Sequence, residues 1–194
     1  MPETIVLLHG FTQTGASWSG VVAALGERYR ALTPDLRGHG SASAVRPVSF
    51  DAIVADIAEL SPARFALAGY SMGGRIALHV ALAHPDRVSR LALIGATAGI
   101  EDPRERAERR AADERLATTL ERDGLDAFAE RWGSQELFAG QPPPVAAAAR
   151  ADRLRNTPEG LAAALRGVGT GAMVPLWDRL GELTMPVVAL AGER

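Results

Sequence analysis

The chain has no cysteine, which excludes a disulfide scaffold, a thiolate metal site and a cysteine nucleophile. It has no lysine either: all 21 basic residues are arginine. Every side-chain cation is therefore a planar guanidinium, and an arginine with a role must be argued from its position. Aromatic residues are sparse, at 5%. No apolar run approaches ~18 residues, so nothing reads as a membrane-spanning helix. Met1 to Leu8 has neither a basic n-region nor a small-residue cleavage site and does not read as a signal peptide. A net charge of -2 provides no bulk field to attract nucleic acid or an anionic membrane. The expectation is a cytoplasmic protein with neither as partner; oligomeric state is not readable.

What is present fits one globular unit. The 194 residues are 47% hydrophobic and 23% charged, enough for a single sizeable core. Thr4 to Leu8 is a short apolar run stopped by His9-Gly10 and reads as a buried strand. Ser17 to Arg28 has helical spacing, and Tyr29 to Thr33 is a second strand. A turn-rich stretch, Arg37 to Ala44, precedes a helix at Phe50 to Leu60. Phe65 to Ala68 is a third strand, Ser71 to His84 a helix ended by Pro85, and Leu91 to Ile94 a fourth strand. This alternation predicts an α/β fold with a mostly parallel sheet covered on both faces.

The alternation then breaks. Helices are expected at Asp102 to Arg122, Gly124 to Trp132, Ala146 to Arg155 and Glu159 to Arg166, with the Gln141-Pro-Pro-Pro144 run as a stop. Such an insertion predicts a helical lid over the carboxyl ends of the strands, where ligands sit in this class. Leu176 to Leu183 reads as helix and Val187 to Ala191 as a fifth strand. The expected organisation is a core over residues 1–100, a lid over 101–172 and the core continued over 173–194.

Gly69-Tyr70-Ser71-Met72-Gly73 fits G-x-S-x-G between a strand and a helix. In that setting the glycines allow a tight turn that lifts Ser71 to a helix N-terminus as a nucleophile. The plainer alternative is Ser71 as the N-cap of a glycine-rich helix start. His9-Gly10-Phe11 follows the first strand, and the backbone N–H groups of Phe11 and Met72 are the expected oxyanion hole. His9 is expected to brace that loop from within the core.

These features resemble the α/β-hydrolase superfamily, through Leu-Leu-His9-Gly10-Phe11, Asp35-Leu-Arg-Gly-His39-Gly-Ser41 and Gly69-Tyr-Ser-Met-Gly-Gly74. A narrower resemblance is carried by Arg75 after the elbow, Glu105-Arg-Ala-Glu-Arg109, Arg131-Trp132 before Leu137-Phe138, Leu154-Arg155-Asn and the run Gly167 to Leu176. These are similar to the 2-succinyl-6-hydroxy-2,4-cyclohexadiene-1-carboxylate synthases of menaquinone biosynthesis. The resemblance implies a lyase that eliminates pyruvate from 5-enolpyruvoyl-6-hydroxy-2-succinyl-cyclohex-3-ene-1-carboxylate. A His-activated Ser71 would take a ring proton, the Phe11 and Met72 amides would hold the enolate charge, and arginines would hold carboxylates. No cofactor or metal is implied; the partner is a small carboxylate substrate. Two rivals stand: a serine carboxylesterase or C–C bond hydrolase using the same elbow, and a binding protein without a triad.

Position supports part of this. Arg75 lies four residues after Ser71 and leans back toward the elbow, as helical side chains do. A cation there suits a carboxylate-rich substrate; the alternative is a solvated arginine paired with Asp56 or Glu59. Arg109 has an ordinary helix partner in Glu105. Arg155, Trp132 and Tyr70 are further candidate substrate contacts, although Trp132 and Tyr70 could equally be packing. None of the four histidines has the order or place of a triad base. The resembled family's acid sits in Gly-Glu-x-Asp, whereas this chain reads Gly192-Glu193-Arg194, with Glu193 a poor substitute. The expectation is a C-terminally truncated form lacking the last strand, the last helix and the triad's acid and histidine, inactive by itself.

Overall fold

The computed structural model describes residues 2–192. Glu193, discussed above as a stand-in for the acid, lies outside them. Five strands form one parallel sheet: β1 (Glu3–Leu8), β2 (Tyr29–Leu32), β3 (Phe65–Tyr70), β4 (Val88–Ile94) and β5 (Val187–Leu190), in the order β2-β1-β3-β4-β5. Each strand alternates between two faces. Val6, Leu8, Phe65, Leu67 and Leu91 pack on one face with α2 (Phe50–Leu60) and α3 (Met72–Ala83). Leu7 and Ala68 turn to the other face with Trp18, flanked by α1 (Ser19–Leu25).

The chain runs outward from β1 to β2, then crosses to β3 on β1's other side. The gap between β1 and β3 is thus the switch point, where α/β sheets bind ligands beyond the strands' carboxyl ends. Leu8 is in register with Gly69, so the 9–14 loop and the Ser71 turn leave the sheet side by side.

Between β4 and β5 the chain forms α4 (Pro103–Asp123), α5 (Leu125–Gly133), α6 (Pro143–Arg153) and α7 (Pro158–Val168). This cap has its own core of Leu120, Phe128 and Leu161, each fully buried and worth about 1.5–3 kcal/mol relative to exposure. Arg166 ties α7 to α4 through Glu114 and Glu121. The expected elements are present, with three differences. The 17–28 stretch is not one helix: α1 is flanked by 3-10 turns at Gly15–Trp18 and Gly26–Arg28. The 176–183 stretch is a 3-10 helix, Trp177–Glu182, rather than an α-helix. Pro143 and Pro144 open α6 instead of stopping the chain, because the first helical turn needs no donor from its N–H groups.

Candidate active site

Ser71 occupies a turn that few residues adopt, with φ +51° and ψ -109°. Two close approaches explain the flanking glycines. A Cβ on Gly69 would collide with the Gly73 backbone, and one on Gly73 with the Leu8 carbonyl. The Ser71 amide donates to the Ile94 carbonyl at 2.8 Å, and the Ser71 carbonyl accepts from the Arg75 amide at 3.1 Å. Ser71 stands at the N-cap position of α3, but its hydroxyl makes no capping bond, so its Oγ is free for chemistry.

The facing loop is held by its own backbone. The Gly10 carbonyl accepts from His9 Nδ1 at 2.9 Å and from the Gln13 amide at 3.2 Å. His9 Nε2 accepts from the Leu36 amide at 3.0 Å, which fixes the ring as the neutral Nδ1–H tautomer. Burial drives its pKa below the usual value, and the Gly10 bond, Asp35 and Asp152 pull it partly back. In a trans peptide the N–H points opposite to the C=O, so anchoring the Gly10 oxygen turns the Phe11 N–H away from the core. Among the described residues neither the Phe11 amide nor the Met72 amide has a protein acceptor. Two amides left without an acceptor are compatible with the oxyanion hole expected of these residues.

A cavity of about 280 Å³ opens over Ser71, lined by Phe11, Met72, Arg75, Arg109 and Trp132. Six of the residues picked from the sequence therefore meet in one place. Gln135, Leu137 and Thr170 also line it; Leu137 and Thr170 fall in stretches that carry the narrower resemblance, while nothing in the sequence marks Gln135. Trp132 and Phe11 pack edge to face at 5.3 Å between ring centroids, and Phe11 joins the cap core around Phe128.

Arg75 is 8% exposed. One guanidinium nitrogen donates to the Val168 carbonyl at 3.0 Å, and Nε has no partner. Asp56 instead pairs with Arg37, so the solvated pairing considered for Arg75 is not formed. Among the described residues no carboxylate lies in contact with Arg75. Burial, then the nearby Arg109, pull its pKa down to about 10, partly opposed by Asp113; it stays charged at neutral pH. Arg109 bonds Asp113 at 2.8 Å rather than Glu105 and remains half exposed on the cavity side.

Two candidates lie elsewhere. Tyr70 lines a separate apolar hollow with Gln13, Trp18 and Ile94. Arg155 is exposed beside Asp152 and borders open grooves near Thr14 and Ser41. The buried arginine at the end of α6 is Arg153, whose guanidinium sits 5.6 Å from the Phe138 ring with Nε unpartnered. Starting α6 at Pro143 sets that register, a cue present in the sequence.

No histidine serves Ser71. His9 is engaged as described. His39 is buried edge-on against His9 and Phe11. His79 Nδ1 donates to the Arg75 carbonyl at 2.8 Å, and the ring stacks on Phe50. His84 caps the far end of α3.

Comparison with known proteins agrees with this geometry. The profile of the alpha/beta hydrolase fold family matches residues 3–193. A Bacillus subtilis (strain 168) protein, provisionally named as a 2-succinyl-6-hydroxy-2,4-cyclohexadiene-1-carboxylate synthase, is 39% identical over 98% of this chain and 73% of its own length. The synthase of that name from Salmonella arizonae is 33% identical over 98% of this chain and 77% of its own length. The structure of MenH from S. aureus superposes with a TM-score of 0.91 at 33% identity, over 98% of this chain and 75% of that one. A malate-bound esterase from Thermogutta terrifontis superposes at 0.83 with 28% identity, over 97% and 71%. The chain thus spans about three quarters of the proteins it matches. With the elbow, the paired amide donors and these likenesses together, the chain belongs to the α/β-hydrolase family, alongside the 2-succinyl-6-hydroxy-2,4-cyclohexadiene-1-carboxylate synthases.

Proposed function

We propose that the Ser71 cavity is built for eliminating pyruvate from 5-enolpyruvoyl-6-hydroxy-2-succinyl-cyclohex-3-ene-1-carboxylate. The product is 2-succinyl-6-hydroxy-2,4-cyclohexadiene-1-carboxylate, the compound that names the synthases above. The observation that carries this reading is Arg75, a buried guanidinium with no carboxylate partner, on the wall of the cavity that contains Ser71. A neutral acyl chain gives such a charge nothing to bind, whereas a substrate carboxylate supplies the missing counter-ion in a bidentate geometry.

The chemistry follows from the residues in place. Ser71 Oγ takes the ring proton once a base has taken its own. The C2–H electron pair forms a C2–C3 double bond, the existing C3–C4 double bond shifts to C4–C5, and the C5–O bond to the enolpyruvyl group breaks. The leaving group departs with the C5–O pair as the enolate of pyruvate and is protonated to pyruvate. Negative charge delocalised from the ring during proton loss is held by the Phe11 and Met72 amides. Arg75, with Arg109 from the cap, fixes substrate carboxylates, and Trp132 closes the apolar side. None of the four imidazoles reaches Ser71, so these 194 residues supply substrate recognition and charge stabilisation but not the base. The setting is cytoplasmic, with a small molecule as partner.

Calorimetric titration with the cyclohexadiene product and with its dimethyl ester tests this. Binding of the free acid, lost on esterification, is expected. A cavity that takes both equally is not a carboxylate site, and a carboxylesterase of neutral substrates becomes the better reading, as the esterase likeness would favour.

A further inference from the structure

Asn156 lies in the short link between α6 and α7, and its carboxamide is buried with all of its near partners engaged. Nδ2 donates to the Thr12 carbonyl and to the Arg153 carbonyl, both at 2.9 Å. Oδ1 accepts from the Gly40 amide at 3.0 Å. Carbonyls only accept and an amide N–H only donates, so these partners fix which way the carboxamide faces. One side chain of the cap thereby grips two core loops, one after β1 and one after β2. Nothing in the proposed chemistry uses it.

The grip reaches the active site through two rigid peptide planes. The Thr12 carbonyl and the Gln13 amide are opposite ends of one plane. Asn156 holds the carbonyl end, and the Gln13 N–H donates to the Gly10 carbonyl at 3.2 Å. The Gly10 carbonyl and the Phe11 N–H are opposite ends of the next plane. Orienting the first plane therefore orients the second. Thr12 sits at φ +70°, which a non-glycine residue keeps only when its surroundings impose it. Asp152, four residues before Asn156, holds the far side of the segment by accepting from the Thr14 amide at 2.9 Å and from its hydroxyl.

We propose that Asn156 is a positioning residue for the Phe11 amide. Through this carboxamide the cap sets the direction of the oxyanion donor, which is aligned only while the α6–α7 end of the cap is seated on the loop. The proposal rests on the reading of the Phe11 amide as an oxyanion donor, not on which substrate carries the charge.

The test compares the 194-residue protein with Asn156→Ala and Asn156→Asp. The aspartate keeps the side chain's size and the acceptor for Gly40 but cannot donate to Thr12, so a loss seen in both is not a cavity effect. Hydrogen exchange is followed by peptide mass spectrometry. Hydrolysis of p-nitrophenyl acetate above the buffer rate reads the residual catalysis that oxyanion donors support without a base. Succinate binding reads Arg75. In both variants exchange over residues 10–14 is expected to rise about tenfold or more, with β3 and α3 unchanged. Ester kcat is expected to fall about tenfold with KM within about twofold, since one donor is misaligned rather than removed. Succinate affinity stays within about twofold. Unchanged loop exchange, or unchanged kcat, in Asn156→Asp overturns the proposal. So does a loss of protection spread evenly over the whole chain, which marks a merely structural side chain. If wild type fails to bind succinate while the kcat effect stands, Asn156 keeps its role and the carboxylate reading of the cavity falls instead.

Discussion

Arg75 follows Ser71 by one helical turn, its amide donating to the Ser71 carbonyl at 3.1 Å, and its guanidinium lines the cavity over that serine without a carboxylate in contact. The same helix start thus presents the Ser71 hydroxyl and a desolvated cation to one cavity. Stability alone would not select this, because a buried unpaired charge is costly. A ligand that brings the counter-charge makes sense of it.

The elbow stores backbone strain at Ser71, whose φ of +51° is far easier for glycine. Replacing Ser71 by Gly is expected to give a protein about 1 kcal/mol more stable than Ser71→Ala, both lacking the hydroxyl. Urea midpoints compared between the two variants read the difference. Equal midpoints would mean that the turn is not strained.

Stability should fall on acidification. Burial, and then the neighbouring His9, push the His39 pKa down to about 3, and burial lowers His9 as well. Between pH 6.5 and about 3 the unfolded chain therefore binds more protons than the folded one, so stability is full above 6.5 and is lost as the pH drops. The slope is up to about 1.4 kcal/mol per pH unit for each histidine. The urea midpoint is expected to be lower at pH 5 than at pH 7.5, with a shallower dependence in His39→Gln. A pH slope that the substitution leaves intact would place the titrating group elsewhere.

All four imidazoles are occupied away from Ser71. The 194 residues are therefore expected to bind substrate and release pyruvate at a rate about 10⁶ below that of a complete triad, the loss seen when a base is removed from a comparable one. Pyruvate release under single-turnover conditions measures this. Fast release abolished by replacing any one histidine would identify that residue as the base and refute its assigned partners.

The β5 edge predicts self-association. Val188 and Leu190 are each 56% exposed, and β5 ends the sheet among the described residues. An open apolar edge strand recruits other chains. Light scattering is expected to rise with concentration, and Val188→Glu should suppress it. A wild-type protein that stays monomeric at every concentration contradicts this.

Much of the site was legible because its determinants are local. Gly69, Ser71 and Gly73 encode the elbow through spacing alone, and Phe50 to Leu60 forms a helix with the bounds its periodicity suggests. Arg75 was legible because one helical turn is a fixed distance. Misreadings arose where local rules compete. The prolines at 143 and 144 can both stop a preceding segment and start a following one, and here they start α6. Arg109 had carboxylates four residues away on both sides, and burial of Asp113 against Gly169 and Gly171 decided between them. Contacts such as Asn156 with Thr12, 144 positions apart, leave no periodic trace at all.

The proposed function of the cavity depends most directly on the charge of Arg75. Calorimetric titration of the cyclohexadiene product into wild type and Arg75→Ala measures it. Loss of one buried, charge-assisted bidentate contact is expected to weaken binding by about 2–4 kcal/mol, roughly 30- to 1000-fold, with Arg75→Lys recovering only part, since an ammonium lacks the planar fork. Equal affinity of Arg75→Ala and wild type for the product would contradict the proposed function of the cavity.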